Sequence, residues 1–132
     1  MTSDLTHADR VKELVAQLNG AHADDAWHSL VEVGAPAVPH LAKLFEATKD
    51  RVTCVSIMTV AGQQRSGEAL ELLRRGLASE CDEVWKAALD GLVSFGGIEA
   101  SQALAHARQS ASAVKAAWLD EAASQVEDDT AP

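Results

Sequence analysis

The sequence predicts an all-α fold: a short α-solenoid of about eight helices in four antiparallel pairs. Apolar residues recur at helical spacing along nearly the whole chain, with no alternating run and no hairpin dipeptide between two strands. The composition is rich in Ala, scarce in aromatics and without Tyr, which favours helix because Ala loses no side-chain entropy there. The helical segments also repeat, in two interleaved kinds, about every 31 residues.

The first helix is expected over about Thr6 to Leu18, with Val11, Leu14, Val15 and Leu18 on one face and "NG" as its stop. The second spans about Asp24 to Val33, with Asp24 or Asp25 capping it. In "LVEVGAPAVPHLAKLF", Gly34 suits a left-handed helix stop, and Pro36 and Pro39 fall where a third helix begins. Each Pro disfavours α geometry at the residue before it, so Val38 implies either a distorted first turn or a start at Pro39. The fourth, "DRVTCVSIMTVAG", has Asp50 as cap and Gly62 as stop, and being apolar nearly all round it reads as a buried central helix. Ser66 caps a fifth, "SGEALELLRRGLAS", whose early Glu and late Arg match the helix dipole. "SECDEVWKAALDGLVSF" ends at Gly96-Gly97, followed by "IEASQALAHARQS" and "SAVKAAWLDEAASQVE". Residues 1–126 form one domain, and 127–132 are expected to be a disordered acidic tail.

Superposing "PAVPHLA" (36–42), "GEALELL" (67–73) and "IEASQAL" (98–104), which are evenly spaced, aligns Val38, Ala69 and Ala100, and also Leu41, Leu72 and Ala103. Superposing "RVTCVSI" (51–57), "EVWKAAL" (83–89) and "AVKAAWL" (113–119) aligns Val52, Val84 and Val114, and Ile57, Leu89 and Leu119. In this second set the first step is one position longer than the repeat and the second one position shorter. Stacked helix pairs require such interleaving, and each pair leaves an apolar side for its neighbour. The polar-faced first helix and the charged last one suit the ends.

These segments resemble HEAT repeats, through "DDAWHSLVEVGAPAVPHLAKLF", "SGEALELLRRGLASECDEVWKAALDGLVSFGG" and "ASAVKAAWLDEAAS". The resemblance covers residues 24 to about 125 and implies a short right-handed solenoid. Its inner helices, 50–61, 83–95 and 113–126, would line a concave binding face. Many HEAT-like repeats carry Arg just after the Val opening the inner helix; here Thr53, Trp85 and Lys115 stand there, so the face is less basic.

Net charge is −9, carried mostly by the second half. Such a surface repels nucleic acid and anionic membrane and attracts a basic protein. The N-terminus lacks the apolar core of a secretory signal, and no apolar run approaches a bilayer span. Cys54 and Cys81 read as buried free thiols in a reducing cytoplasm. Neither lies in a nucleophile context; no cofactor is implied and no enzymatic activity is expected. His22, Asp25 and His28 recur every three residues, but His22 precedes the helix and the set reads as solvent-facing, not metal-binding. His7, His40 and His106 read as surface residues. The adjacent carboxylates Asp82/Glu83 and Asp120/Glu121 point about 100° apart on a helix, which suits capping and solvation and not a shared-proton pair.

Among the tryptophans, Trp27 and Trp118 are expected in the core. Trp85 falls in the concave-facing column beside Glu83, Lys86 and Asp90, the composition of a binding hot spot; the alternative packs it against the neighbouring repeat. The candidate partner-binding residues are Asp50, Thr53, Glu83, Trp85, Lys86, Asp90, Lys115 and Asp120. The leading expectation is a protein-binding module, most concretely an immunity protein that covers the basic catalytic cleft of a cognate toxin. The others are a HEAT-like scaffold or adaptor, and an accessory lyase.

Overall fold

A computed structural model of the chain describes the backbone of residues 3–130 except 19, 21, 22 and 65, and the side chains of 10–126 except those and residue 35. Eight α-helices and a 3-10 turn make up these residues, with no strand among them. They are α1 (Ser3–Gln17), α2 (Ala23–Val33), the turn Ala35–Ala37, α3 (Val38–Ala47), α4 (Arg51–Ala61), α5 (Gly67–Leu77), α6 (Asp82–Phe95), α7 (Gly97–Arg108) and α8 (Ala113–Thr130).

The boundaries follow local chemistry. Gly34 and Gly96 hold φ of 73° and 72°, the left-handed stop that favours glycine. The Val38 conflict resolves as a distorted first turn: Pro36 sits in the 3-10 turn and Pro39 within the first turn of α3. Asp50 caps α4 and Ser66 caps α5, each side chain accepting an N–H three residues on. Asp24 and Asp25 prove to lie inside the first turn of α2, not before it. There they still favour the positive end of the helix dipole. At the C-terminus α8 continues past residue 126 to Thr130, through the segment expected to be a tail; residues 131–132 lie outside the described residues.

Helices pack in two layers. α1, α3, α5 and α7 follow one another in the first, α2, α4, α6 and α8 in the second, and each odd helix also packs on the even helix that follows it. The first helix therefore pairs with the second. In the odd layer both sequence columns are buried, Val38–Ala69–Ala100 and Leu41–Leu72–Ala103 alike.

The even layer corrects the expected register. Val52 and Val114 are exposed while Val84 is buried, so the valine column is not a structural one. Burial instead recurs at the even spacing of the odd layer, as in Ile57–Ala88–Leu119 and Val60–Gly91–Ala122. Exposure recurs likewise, in Val52–Glu83–Val114 and Thr59–Asp90–Glu121. Matching residue types had shifted α6 by one position, and one position turns a helix by about 100°.

Where α4 meets α6 the backbones touch. A Cβ on Gly62 would lie 2.6 Å from the Gly91 Cα, and one on Gly91 would lie 2.6 Å from Leu73 Cδ2. Gly62 ends α4 with φ −62°, so close approach and not backbone handedness is what requires glycine there.

Candidate partner interface

Because each even helix buries one side against the odd layer, its opposite side forms an outer face. On α6 that face carries Glu83, Lys86 and Asp90; on α8 it carries Val114, Trp118 and Glu121. Val114 is 69% exposed and Trp118 47%, a pair of large apolar residues one turn apart on the last helix. With Ile98 of α7 also exposed, the last pair does not have the polar character expected of an end.

The two tryptophans have exchanged their expected roles. Trp85 is 5% exposed, so it is not a partly exposed hot spot, and Trp118 is not core. The one-position rotation of α6 is the cause: Lys86 takes the outward column and Trp85 turns inward toward α8. Its indole Nε1 donates to Asp82 Oδ1 at 3.0 Å, satisfying the one polar atom it buries. Its ring meets Trp118 edge to face, centroids 6.2 Å apart and planes at 82°. Lys86 Nζ lies 4.5 Å from the Trp118 centroid and 5.6 Å from that of Trp85, both within cation–π range.

Lys115 is drawn to the same cluster from α8. Its Nζ lies 5.3 Å from the Trp85 centroid and donates to the Leu77 carbonyl oxygen. Burial pushes its pKa down, against the opposing pull of the Asp82 carboxylate. Beside the cluster, between the α5–α6 and α7–α8 corners, runs an open groove of about 550 Å³ lined by Glu80, Asp82, Trp85, Lys86, Val114 and Lys115, among others.

Asp50, Thr53, Glu83 and Asp120 are spread and already engaged. Asp50 accepts from the backbone N–H of Thr53 at 3.2 Å and from its hydroxyl at 2.5 Å, and these bonds, the hydroxyl first, hold its carboxyl below the usual range. That pair is a helix cap and belongs to the start of α4. Glu83 reaches Arg51 of α4 at 3.4 Å, and Asp120 accepts from Arg108 of α7 at 2.6 Å. Asp120 thus turns toward the odd layer while Glu121 faces outward. Of the eight candidates, Glu83, Lys86 and Asp90 share the outer face, and Trp85 and Lys115 lie beneath it. Val114, Trp118 and Glu121 were missed, although a strictly even repeat step from Glu83, Ala87 and Asp90 would have found all three.

Elsewhere the chemistry is sparse. Cys54 is buried and its thiol is pushed up, chiefly by burial and then by Asp50; Cys81 sits half-buried at the start of α6 without a side-chain cap bond. Both are free, and the raised Cys54 disfavours the thiolate a nucleophile needs. Asp82 and Glu83 reach different partners, as their angular separation requires. Asp25 and His28 are exposed and His22 lies outside the described residues; among the described residues no three His, Cys, Asp or Glu gather as a metal site. His106 is exposed and His40 half-buried, while the side chain of His7 lies outside the described set. Trp27 is half-buried, edge-on to His28 at 5.1 Å, and lines a second groove of about 230 Å³ with Val55 and Thr59. Among the described residues no helix is long and apolar enough to cross a membrane. No protein-family model matches the chain, and no curated protein matches it.

Proposed function

We propose that the chain is a non-enzymatic binding module, a short HEAT-like solenoid of right-handed sense, that docks a basic protein on the outer face of the even layer. The observation that carries this reading is the exposed pair Val114 and Trp118 with Glu83, Asp90 and Glu121 on the same face. An apolar anchor ringed by carboxylates suits a partner that presents an apolar spot among Lys and Arg. The net charge of −9 steers such a partner from a distance.

The concrete form of the reading is an immunity protein, cytoplasmic and ready when its toxin arrives. Its carboxylates would stand in for the anionic substrate of the toxin, and Trp118, not Trp85, would anchor the complex. Affinity capture with the intact chain tests it, using wild type, Trp118→Ala and Glu83→Lys/Asp90→Lys as baits at low and high salt. The expected result is a basic protein, encoded beside this gene, that both variants lose and whose toxicity falls on co-expression. A partner retained by both variants would mean another surface binds.

The exposure of Val114 and Trp118 also favours a second reading, an adaptor that docks chiefly through apolar surface. Its complex would survive salt that dissolves an electrostatically steered one, so the salt arm of the same experiment separates the two.

A further inference from the structure

The Trp85–Trp118 pair has the form of half a cation cage. Two rings set at 82° with centroids 6.2 Å apart present a corner, and an ammonium, Lys86 Nζ, already lies within cation–π range of both. The parts of the corner differ in how firmly they are held. Trp85 is pinned by Asp82 at 3.0 Å and buried, and Lys115 is anchored by the Leu77 carbonyl. Lys86 is half-buried on a flexible four-carbon stem, and Trp118 stands 47% exposed, so the corner opens to solvent where Lys86 lies.

We infer that this corner is a recognition site for an arginine side chain of the partner, and that Lys86 is its built-in placeholder. The inference rests on the partner reading above and names the contact that reading leaves open. A guanidinium stacks on an indole face better than an ammonium does, because it is planar and weakly hydrated. Asp82 lies at the edge of the Trp85 ring, and Glu80 lines the adjoining groove with Trp85 and Lys86, so an arriving guanidinium finds carboxylates beside the corner. The same carboxylates oppose an anionic ligand. They also oppose a second copy of this chain, which would bring its own acidic face against them. When arginine enters, Lys86 swings toward solvent, where the outward-facing Glu83 and Asp90 of its own helix are close at hand.

The test needs no partner. The chain has three tryptophans, so three indole N–H signals can be followed by NMR, and Trp118→Leu identifies one by its loss. N-acetylarginine amide is titrated at low ionic strength into wild type, Lys86→Met and Lys86→Met/Trp118→Leu. The neutral citrulline counterpart serves as control. The Trp118 signal of Lys86→Met should move with a midpoint about threefold below that of wild type, the scale of one exposed cation–π contact. The citrulline compound should leave that signal in place, and the double variant should show no arginine-dependent movement at Trp85. An unchanged or raised midpoint in Lys86→Met, or equal movement with citrulline, would overturn the site. That outcome would leave the capture experiment standing, just as a failed capture would leave this titration standing.

Discussion

Along the even layer, α4 meets α6 through glycine and α6 meets α8 through tryptophan. The repeat step is the same in both cases, yet the first junction brings the Gly62 and Gly91 backbones into contact while the second is filled by two indoles and two lysine stems. α6 accordingly packs far more extensively on α4 than on α8. A repeat thus fixes spacing, and the side chains at each junction decide whether it closes or keeps a corner open. The closed junction explains the cohesion of the middle of the chain, and the open one holds the candidate interface.

The largest expected effect comes from exchanging ring for methyl at the open junction. Trp85→Ala removes a buried indole, costing about 3–5 kcal/mol, as large buried aromatics do. Trp118→Ala, at a half-exposed site, should cost about 1 kcal/mol or less. Urea unfolding compares the two at unchanged slope. Equal costs, or the reverse order, would break the assignment of one ring to the core and the other to the surface.

The closed junction answers to a smaller change. Gly62→Ala gains about 1 kcal/mol of helix propensity at most, but its methyl meets the Gly91 Cα at 2.6 Å, and backbone cannot step aside. Overpacking of this kind costs about 1–3 kcal/mol, so a net loss of about 1–2 kcal/mol is expected. Gly67→Ala is the internal control: nothing lies within 4 Å of its added Cβ, and the variant should be neutral or slightly stabilised. If both substitutions stabilise, the α4–α6 junction is looser than described.

How far could these junctions be read from residues alone? The helices, their stops and the odd-layer columns were legible because apolar spacing, Gly34, Gly96, Asp50 and Ser66 each act locally. The even-layer register was not. Val52, Val84 and Val114 look equivalent in type, but only Val84 is buried, because helix orientation is set by contacts with neighbours and not by residue identity. That shift alone misplaced Trp85 and Trp118. It also hid Gly91, whose role lies in touching the Gly62 backbone at the end of a different helix. Of the candidate site, the carboxylates of α6 were legible as an acidic rim. The apolar anchor on α8 was not, because a tryptophan at a core-like position carries no mark of exposure.

The same comparison extends to how each helix begins, and here the effect is smallest and depends on pH. Asp50 caps α4, whereas Cys81, its counterpart one repeat later, opens α6 with no side-chain bond. The Thr53 hydroxyl, then the Thr53 N–H, stabilise the ionised carboxylate, so the folded pKa of Asp50 lies below its ordinary 3.8. The unfolded chain therefore holds this proton more tightly than the folded one, and stability must rise with pH across that interval. The contribution is complete above the unfolded pKa of about 4 and is lost as pH falls through the folded value. Asp50→Asn keeps a capping oxygen but cannot ionise, so the stability gap between wild type and variant should be constant from pH 7 to about 5 and should narrow below about 4. Thr53→Val, which deletes the leading cause, should move the low-pH end of that narrowing up toward the unfolded value. A gap that stays constant down to pH 2 would show that the Asp50 charge adds nothing to the cap beyond its hydrogen bonds.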